Sequence, residues 1–179
     1  MVWCSQESTT SVGGSSSRNT NLHQQVNTFS LRNYDTLTIE ILDTVVKHLG
    51  QQELKKILIS MTESRVREWE SRLLGLSLSE KIVALKEVYS TNDTFMEIED
   101  TDDSLKLIEH NCPFYNIAME QPILCSVTVS VLTRLLGYQV IREKSFQNGD
   151  ERCVFRVLQD HPIDPDTYRF SEEHEPPKF

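Results

Sequence analysis

The apolar pattern of this chain changes period once, near residue 94. Between Asp35 and Tyr89, apolar side chains recur every three or four positions. Leu37, Ile41, Val45 and Leu49 form one set, Leu54, Leu58, Met61 and Trp69 a second, and Ile82, Leu85 and Tyr89 a third. That spacing aligns each set on one face of a helix. From Thr94 onward the spacing shortens to two. Thr94–Glu99, Ser104–Glu109, Gln139–Phe146 and Arg152–Leu158 read as strands, and one helical run interrupts them after Pro122. This order predicts an α+β fold: three N-terminal helices, then a four-stranded antiparallel sheet with one inserted helix.

The boundaries have their own signals. Asp35 is a plausible N-cap for the first helix, and Gly50 ends it. The second helix runs from about Gln51 towards Leu74, with Arg65 interrupting its stripe, and Ser77 or Ser79 caps the third. The acidic turn Asp100-Thr101-Asp102-Asp103 joins the first two strands. It lacks the glycine and closing glutamate of a calcium loop, so a solvated turn is the reading. Asn148-Gly149 marks a hairpin between the last two strands. Residues 1–33 are rich in Ser, Thr, Asn and Gln and cannot bury enough apolar surface to offset their ordering entropy. The expected organisation is a disordered polar tail over 1–33, a folded domain over 34–160 and an irregular tail over 161–179.

Charge narrows the function classes. The net charge is −9, and residues 35–110 hold nine basic against sixteen acidic side chains. Nucleic-acid binding relies on clustered Lys and Arg that displace phosphate counterions. No basic run is longer than Lys55-Lys56, so direct nucleic-acid binding is not expected. No stretch suits a membrane span or a secretory signal. Four cysteines in such a chain point to a reducing, cytoplasmic setting. The hydroxyl-rich, acid-poor tail keeps an organelle such as a plastid as the alternative. There is no phosphate loop, no dinucleotide glycine motif and no nucleophile with an evident histidine partner, so no enzyme is expected.

Three of the four cysteines fall between Glu109 and Val157. Twelve residues separate Cys112 from Cys125, and twenty-seven separate Cys125 from Cys153. Cys112 follows a strand, Cys125 stands just inside the helix opened by Pro122, and Cys153 enters the last strand after the Asn-Gly turn. Packing that helix on the sheet can bring the three thiols together. A helix N-terminus also favours thiolate, the metal-binding form. The alternative is three buried cysteines acting as small apolar residues. His110, two residues before Cys112, is a candidate fourth metal ligand, a donor to a ligand, or a polar strand end. Cys4 reads as an incidental thiol in the tail.

The run EHNCPFYNIAMEQPILC, followed by NGDERCVFRV, resembles the sensor domain of the Suf-operon repressor family. These are regulators of iron–sulfur cluster biosynthesis related to DeoR- and ArsR-like winged-helix proteins. The resemblance covers about residues 35–158 and implies that Cys112, Cys125 and Cys153 are cluster ligands, of a [4Fe–4S] cluster in the first instance. It also implies a sensor whose cluster occupancy reports iron and redox state, and a homodimer. Two departures stand out. Many relatives carry a further cysteine where this chain has Gly137-Tyr138-Gln139. The family's winged helix should precede the sensor, and only a short polar segment stands before Asp35. The expectation is therefore a sensor that regulates through a DNA-binding relative, as a mixed dimer.

Two rivals stay open. Zinc could take Cys112, Cys125, Cys153 and His110, since thiolates and imidazole suit both metals. The ending GDERC–VFRV also resembles vinyl-reductase-type domains of hydrocarbon-sensing regulators, which implies a small apolar ligand between helices and sheet. The Leu54–Trp69 helix is the candidate pairing surface, or else packs within the monomer.

Overall fold

The helix Cys125–Leu136 (CSVTVSVLTRLL) carries one charge in twelve residues. Its valines are mediocre helix formers, so its stability must come from packing. It is buried on every side, from Ser126 and Val127 through Val131, Leu132 and Thr133 to Leu136. A helix apolar all round belongs inside a fold, and the rest of the domain is built against it.

The computed structural model describes residues 20–91, 94–101, 104–165, 167–168 and 170, with side chains from residue 34 onward. The chain divides into residues 1–34 and 35–179; in the first, the described residues from Thr20 are helical. The element order is α1 (Thr20–Leu49), α2 (Gln51–Leu73), α3 (Leu78–Thr91), β1 (Met96–Thr101), β2 (Ser104–Glu109), α4 (Tyr115–Glu120), α5 (Cys125–Leu136), β3 (Tyr138–Lys144) and β4 (Cys153–Pro162). Single 3-10 turns precede α5 (Pro122–Leu124) and β4 (Phe146–Asn148). This is the expected α+β architecture.

All sheet pairings are antiparallel, in the order β1-β2-β4-β3. Register sets the two faces, because successive side chains alternate. Leu105 faces Val157, Leu107 faces Phe155, and Glu109 faces Cys153 across β2 and β4. The two apolar rows of this face are buried and belong to the main core. The opposite face carries a charge ladder in which Glu143 meets Lys106 at 3.1 Å and Arg156 at 2.7 Å.

On the core face α5 packs against β3, and on its other side against α2. Leu54 and Leu58 of α2 and Leu132 of α5 are 0–1 % exposed, so Leu54 and Leu58 of the candidate pairing stripe pack within the monomer, with Met61 and Trp69 partly buried against the same core. The helix–sheet space where an apolar ligand would sit is filled by Val127, Val131, Leu132 and Leu136. Buried hydroxyls on α5 find partners. The Val140 amide donates to Thr133 Oγ1 at 3.2 Å, and Ser130 Oγ lies 3.3 Å from the Tyr168 hydroxyl. The one charge, Arg134, leaves through a 2.5 Å contact with Glu63. Gly137 ends the helix at φ 80, and Lys81 donates to the Leu135 carbonyl at 3.0 Å.

Of the two proposed caps for α3, Ser77 is the one used. Its hydroxyl and amide both donate to Glu80, at 2.6 and 2.8 Å, forming a capping box. Other boundaries differ from expectation. The first helix begins at Thr20, so Asp35 is an interior residue and not an N-cap. No Gly or Pro lies between Thr20 and Gly50 to stop it earlier. Residues 20–33, expected in the polar tail, form the first turns of this helix. The last strand continues to Pro162, past the expected start of the irregular tail. The readings made for residues 1–19, including Cys4, for Asp102-Asp103 and for residues 171–179 fall outside the described residues.

Candidate functional site

At the far end of the sheet's core face the apolar rows give way to polar ones. Leu105 and Leu107 point into the core, and the next inward position on β2 is Glu109, opposite Cys153. On the far side of β4, Arg142 of β3 pairs with Phe155. This end of the sheet is met by the first residue of α5, Cys125. The chain must travel from the end of β2 to α5, and it does so through a loop bearing Cys112, the short helix α4 and the turn at Pro122. Pro122 opens that turn, where a missing amide hydrogen costs nothing.

Cys112, Cys125 and Cys153 line one small cavity of about 20 Å³, room for roughly one water. Tyr115 and Met119 of α4 wall it on one side, and Arg142 and Gln147 on another. The long sequence separations are closed by topology: a loop after β2, a helix start and a strand start meet at one edge.

His110 is placed elsewhere. Its ring does not line the cavity; Nε2 lies 2.9 Å from a Glu97 carboxylate oxygen on β1, and the ring tilts against Phe95. The structure brings together the three cysteines and leaves the histidine outside. Among the described residues, no three His, Cys, Asp or Glu side chains stand in ligating geometry as they are.

The thiols sit in surroundings that favour the neutral form. Burial pushes Cys112 up to about 11, against the help of the Phe114 amide. Burial likewise raises Cys153 to about 12, opposed by the Phe146 amide, with the Glu109 charge adding to the rise. Desolvation outweighs the nearby amides in both cases. Glu109 itself is raised from 4.5 to about 7 by burial, with the Arg142 guanidinium pulling the other way. A thiophilic metal entering here must displace protons, so its hold strengthens as pH rises.

Sequence reasoning missed Glu109, Arg142 and Gln147. For Glu109 a signal existed, since it continues the inward alternation of Leu105 and Leu107. Gln147 had none. Its Nε2 donates to the Ala118 carbonyl at 2.8 Å, the Cys125 sulfur at 3.3 Å and the Pro122 carbonyl at 3.4 Å. Its Oε1 accepts from Arg142 at 3.3 Å. One amide from the β3–β4 connection therefore touches α4, the turn and a thiol.

The donor chemistry fits a soft metal: three thiols and no carboxylate in the lining. The room, as it stands, fits a single atom and is too small for a cubane cluster. No family model matches this chain, and no curated protein matches it.

Proposed function

We propose that this chain is a non-enzymatic sensor module that holds an iron–sulfur cluster at Cys112, Cys125 and Cys153. The observation that carries the reading is the meeting of three thiols, from three separate elements, in one cavity. The resemblance of EHNCPFYNIAMEQPILC and NGDERCVFRV to Suf-operon repressor sensors supports the cluster, [4Fe–4S] first, over other thiolate centres. When bound, the cluster supplies an iron- and oxidant-sensitive occupancy. The chain's own residues do the rest. Three cysteines give up protons and bind; Arg142 offsets the negative charge that thiolates bring; and the buried apolar rows behind Cys153 keep water from that side. Three ligands leave one corner of a cubane without a cysteine, which suits a centre meant to be lost on oxidation. Output passes through a pairing partner, either a second copy of this chain or a DNA-binding relative.

Protein purified and reconstituted without oxygen is expected to contain iron and sulfide and to absorb broadly in the blue. Cys112→Ser, Cys125→Ser and Cys153→Ser each remove most of that absorption, and Cys4→Ser leaves it. Zinc is the second reading, favoured by the single-ion size of the cavity, about 20 Å³. Stoichiometric zinc without sulfide after the same treatment would replace the cluster reading by the zinc one.

A further inference from the structure

The segment that walls off the thiols is held unlike any other helix here. The helix α4 has six residues, and only Ile117 and Ala118 are buried. Its N-terminus has no side-chain cap, while Tyr115 and Met119 are 46 % and 41 % exposed. Besides those two side chains and the edge contact of Tyr115 with Phe146, four pins hold it to three places. Gln147 donates to Ala118 from the β3–β4 connection. Asn116 Nδ2 donates to Asp35 at 2.6 Å, and Gln121 Nε2 to Asp43 at 2.5 Å, both on α1. Arg65 of α2 lies over the Phe114 ring, 5.6 Å from its centre.

Two features mark this as a closure. Gln147 is over-subscribed: its amide nitrogen has two hydrogens and three acceptors in reach, namely Ala118, Pro122 and Cys125. A group that takes up more of that amide at the sulfur takes it from the carbonyls that hold α4. The two clasps on α1 are also spaced for one helix. Asp35 and Asp43 lie eight residues apart, about two turns along α1, and they grip the two ends of α4. Displacing α4 must break both.

We propose that α4 is a movable cover over the three thiols, latched by Gln147 and clasped to α1 through Asn116 and Gln121, so that opening at the thiols releases α1. The coupling to a metal centre rests on the function proposed above; the cover itself does not. α1 is thereby the output element, and it is continuous with the segment that precedes the domain.

The test uses full-length, reduced, metal-free protein at one fixed pH. Iodoacetamide labelling is followed separately for each cysteine-containing peptide by mass spectrometry. Gln147→Met keeps the length and apolar stem but removes the donor, and it should speed labelling of Cys112 and Cys125 about fivefold to tenfold, as expected for losing one hydrogen bond. Asn116→Ala with Gln121→Ala, surface changes that leave the core untouched, should do the same. Lys106→Ala on the opposite sheet face should not. In wild-type protein, full labelling should raise hydrogen exchange at α1 amides 35–43 several-fold and leave the α5 amides protected. Unchanged labelling in both cover variants would overturn the proposal. So would faster labelling accompanied by equal acceleration of every amide, which means global loosening. Because no metal is present, the cover can stand in a protein that binds no cluster, and a cluster can be found in one whose cover variants do nothing.

Discussion

Helices α5 and α4 border the same thiol cavity and are held in place by opposite means. α5 is sealed in by valines and leucines, with Ser130, Thr133 and Arg134 each meeting a polar partner. α4 buries two side chains and hangs on amide and guanidinium contacts. Burial of apolar area stabilises by about 25 cal/mol per Å² and is shared over many contacts at once. Exposed polar pins each contribute about 1 kcal/mol or less and are lost one at a time. The same sheet thus has a permanent end and a releasable end, and the thiols are at the releasable one.

The contrast predicts a large difference between the two helices under truncation. Leu132→Ala, at a fully buried position of α5, should cost about 3 kcal/mol in denaturant unfolding. Ile117→Ala, buried in α4, should cost less than about half of that, because the neighbouring segment can settle into the gap. Equal costs would end the distinction between a packed helix and a pinned one.

Acid–base behaviour belongs to the releasable end. The folded-state value for Glu109 is raised from 4.5 to about 7. Below 4.5 its carboxyl is neutral in both folded and unfolded chains, and its contribution to stability is fully present. As pH climbs from 4.5 through 7 the unfolded chain loses the proton first, so that contribution is progressively lost. The total is on the order of 3 kcal/mol. Glu109→Gln should flatten this part of the stability–pH curve and stabilise the protein at pH 8. A wild-type curve whose Glu109-dependent part rises with pH would contradict the burial argument.

A smaller kinetic effect follows for the thiols. With Cys112 near 11 against an ordinary value of 9, its thiolate fraction at pH 8 is lower by about a hundredfold. Labelling of Cys112 should therefore keep accelerating up to pH 10. An early plateau, near 9, would show that the cover already stands open. The smallest effect expected is at Arg65. Its ring contact with Phe114 is worth about 0.5–1 kcal/mol. Arg65→Ala should lower global stability by no more than that while measurably loosening the Cys112 loop in hydrogen exchange.

The two ends also differed in how well the amino-acid order announced them. The permanent end was legible: alternation located all four strands, Pro122 and Gly137 bracketed α5, and Asn148-Gly149 marked the turn between β3 and β4. Even there, a helical run after Pro122 did not announce a helix buried all round. Ser126, Ser130 and Thr133 count as polar in a pattern yet are small enough to pack once hydrogen-bonded. At the releasable end, the cysteines could be read but their cover could not. A six-residue helix shows no period, and its anchors Asn116, Gln121 and Gln147 bond to partners far along the chain. The stripe on α2 was visible, but whether it faced α5 or a second copy was not, because a helical period does not say what meets the apolar face.

The burial of α5 on both flanks has a bearing on how the chain acquires its shape. One flank is supplied by α2, residues 51–73, and the other by strands that follow it. Neither partner alone can hide a helix that is apolar all round, so the N-terminal helices and the sheet are obligate co-folders. Severing the backbone between Thr91 and Thr94 should yield two pieces that are each unstructured or aggregated when expressed singly. Produced together, they should reassemble into one soluble complex, with α5 as the wedge that joins them. Independent folding of the 20–91 piece, seen as a cooperative melt, would show that the helices need no such wedge.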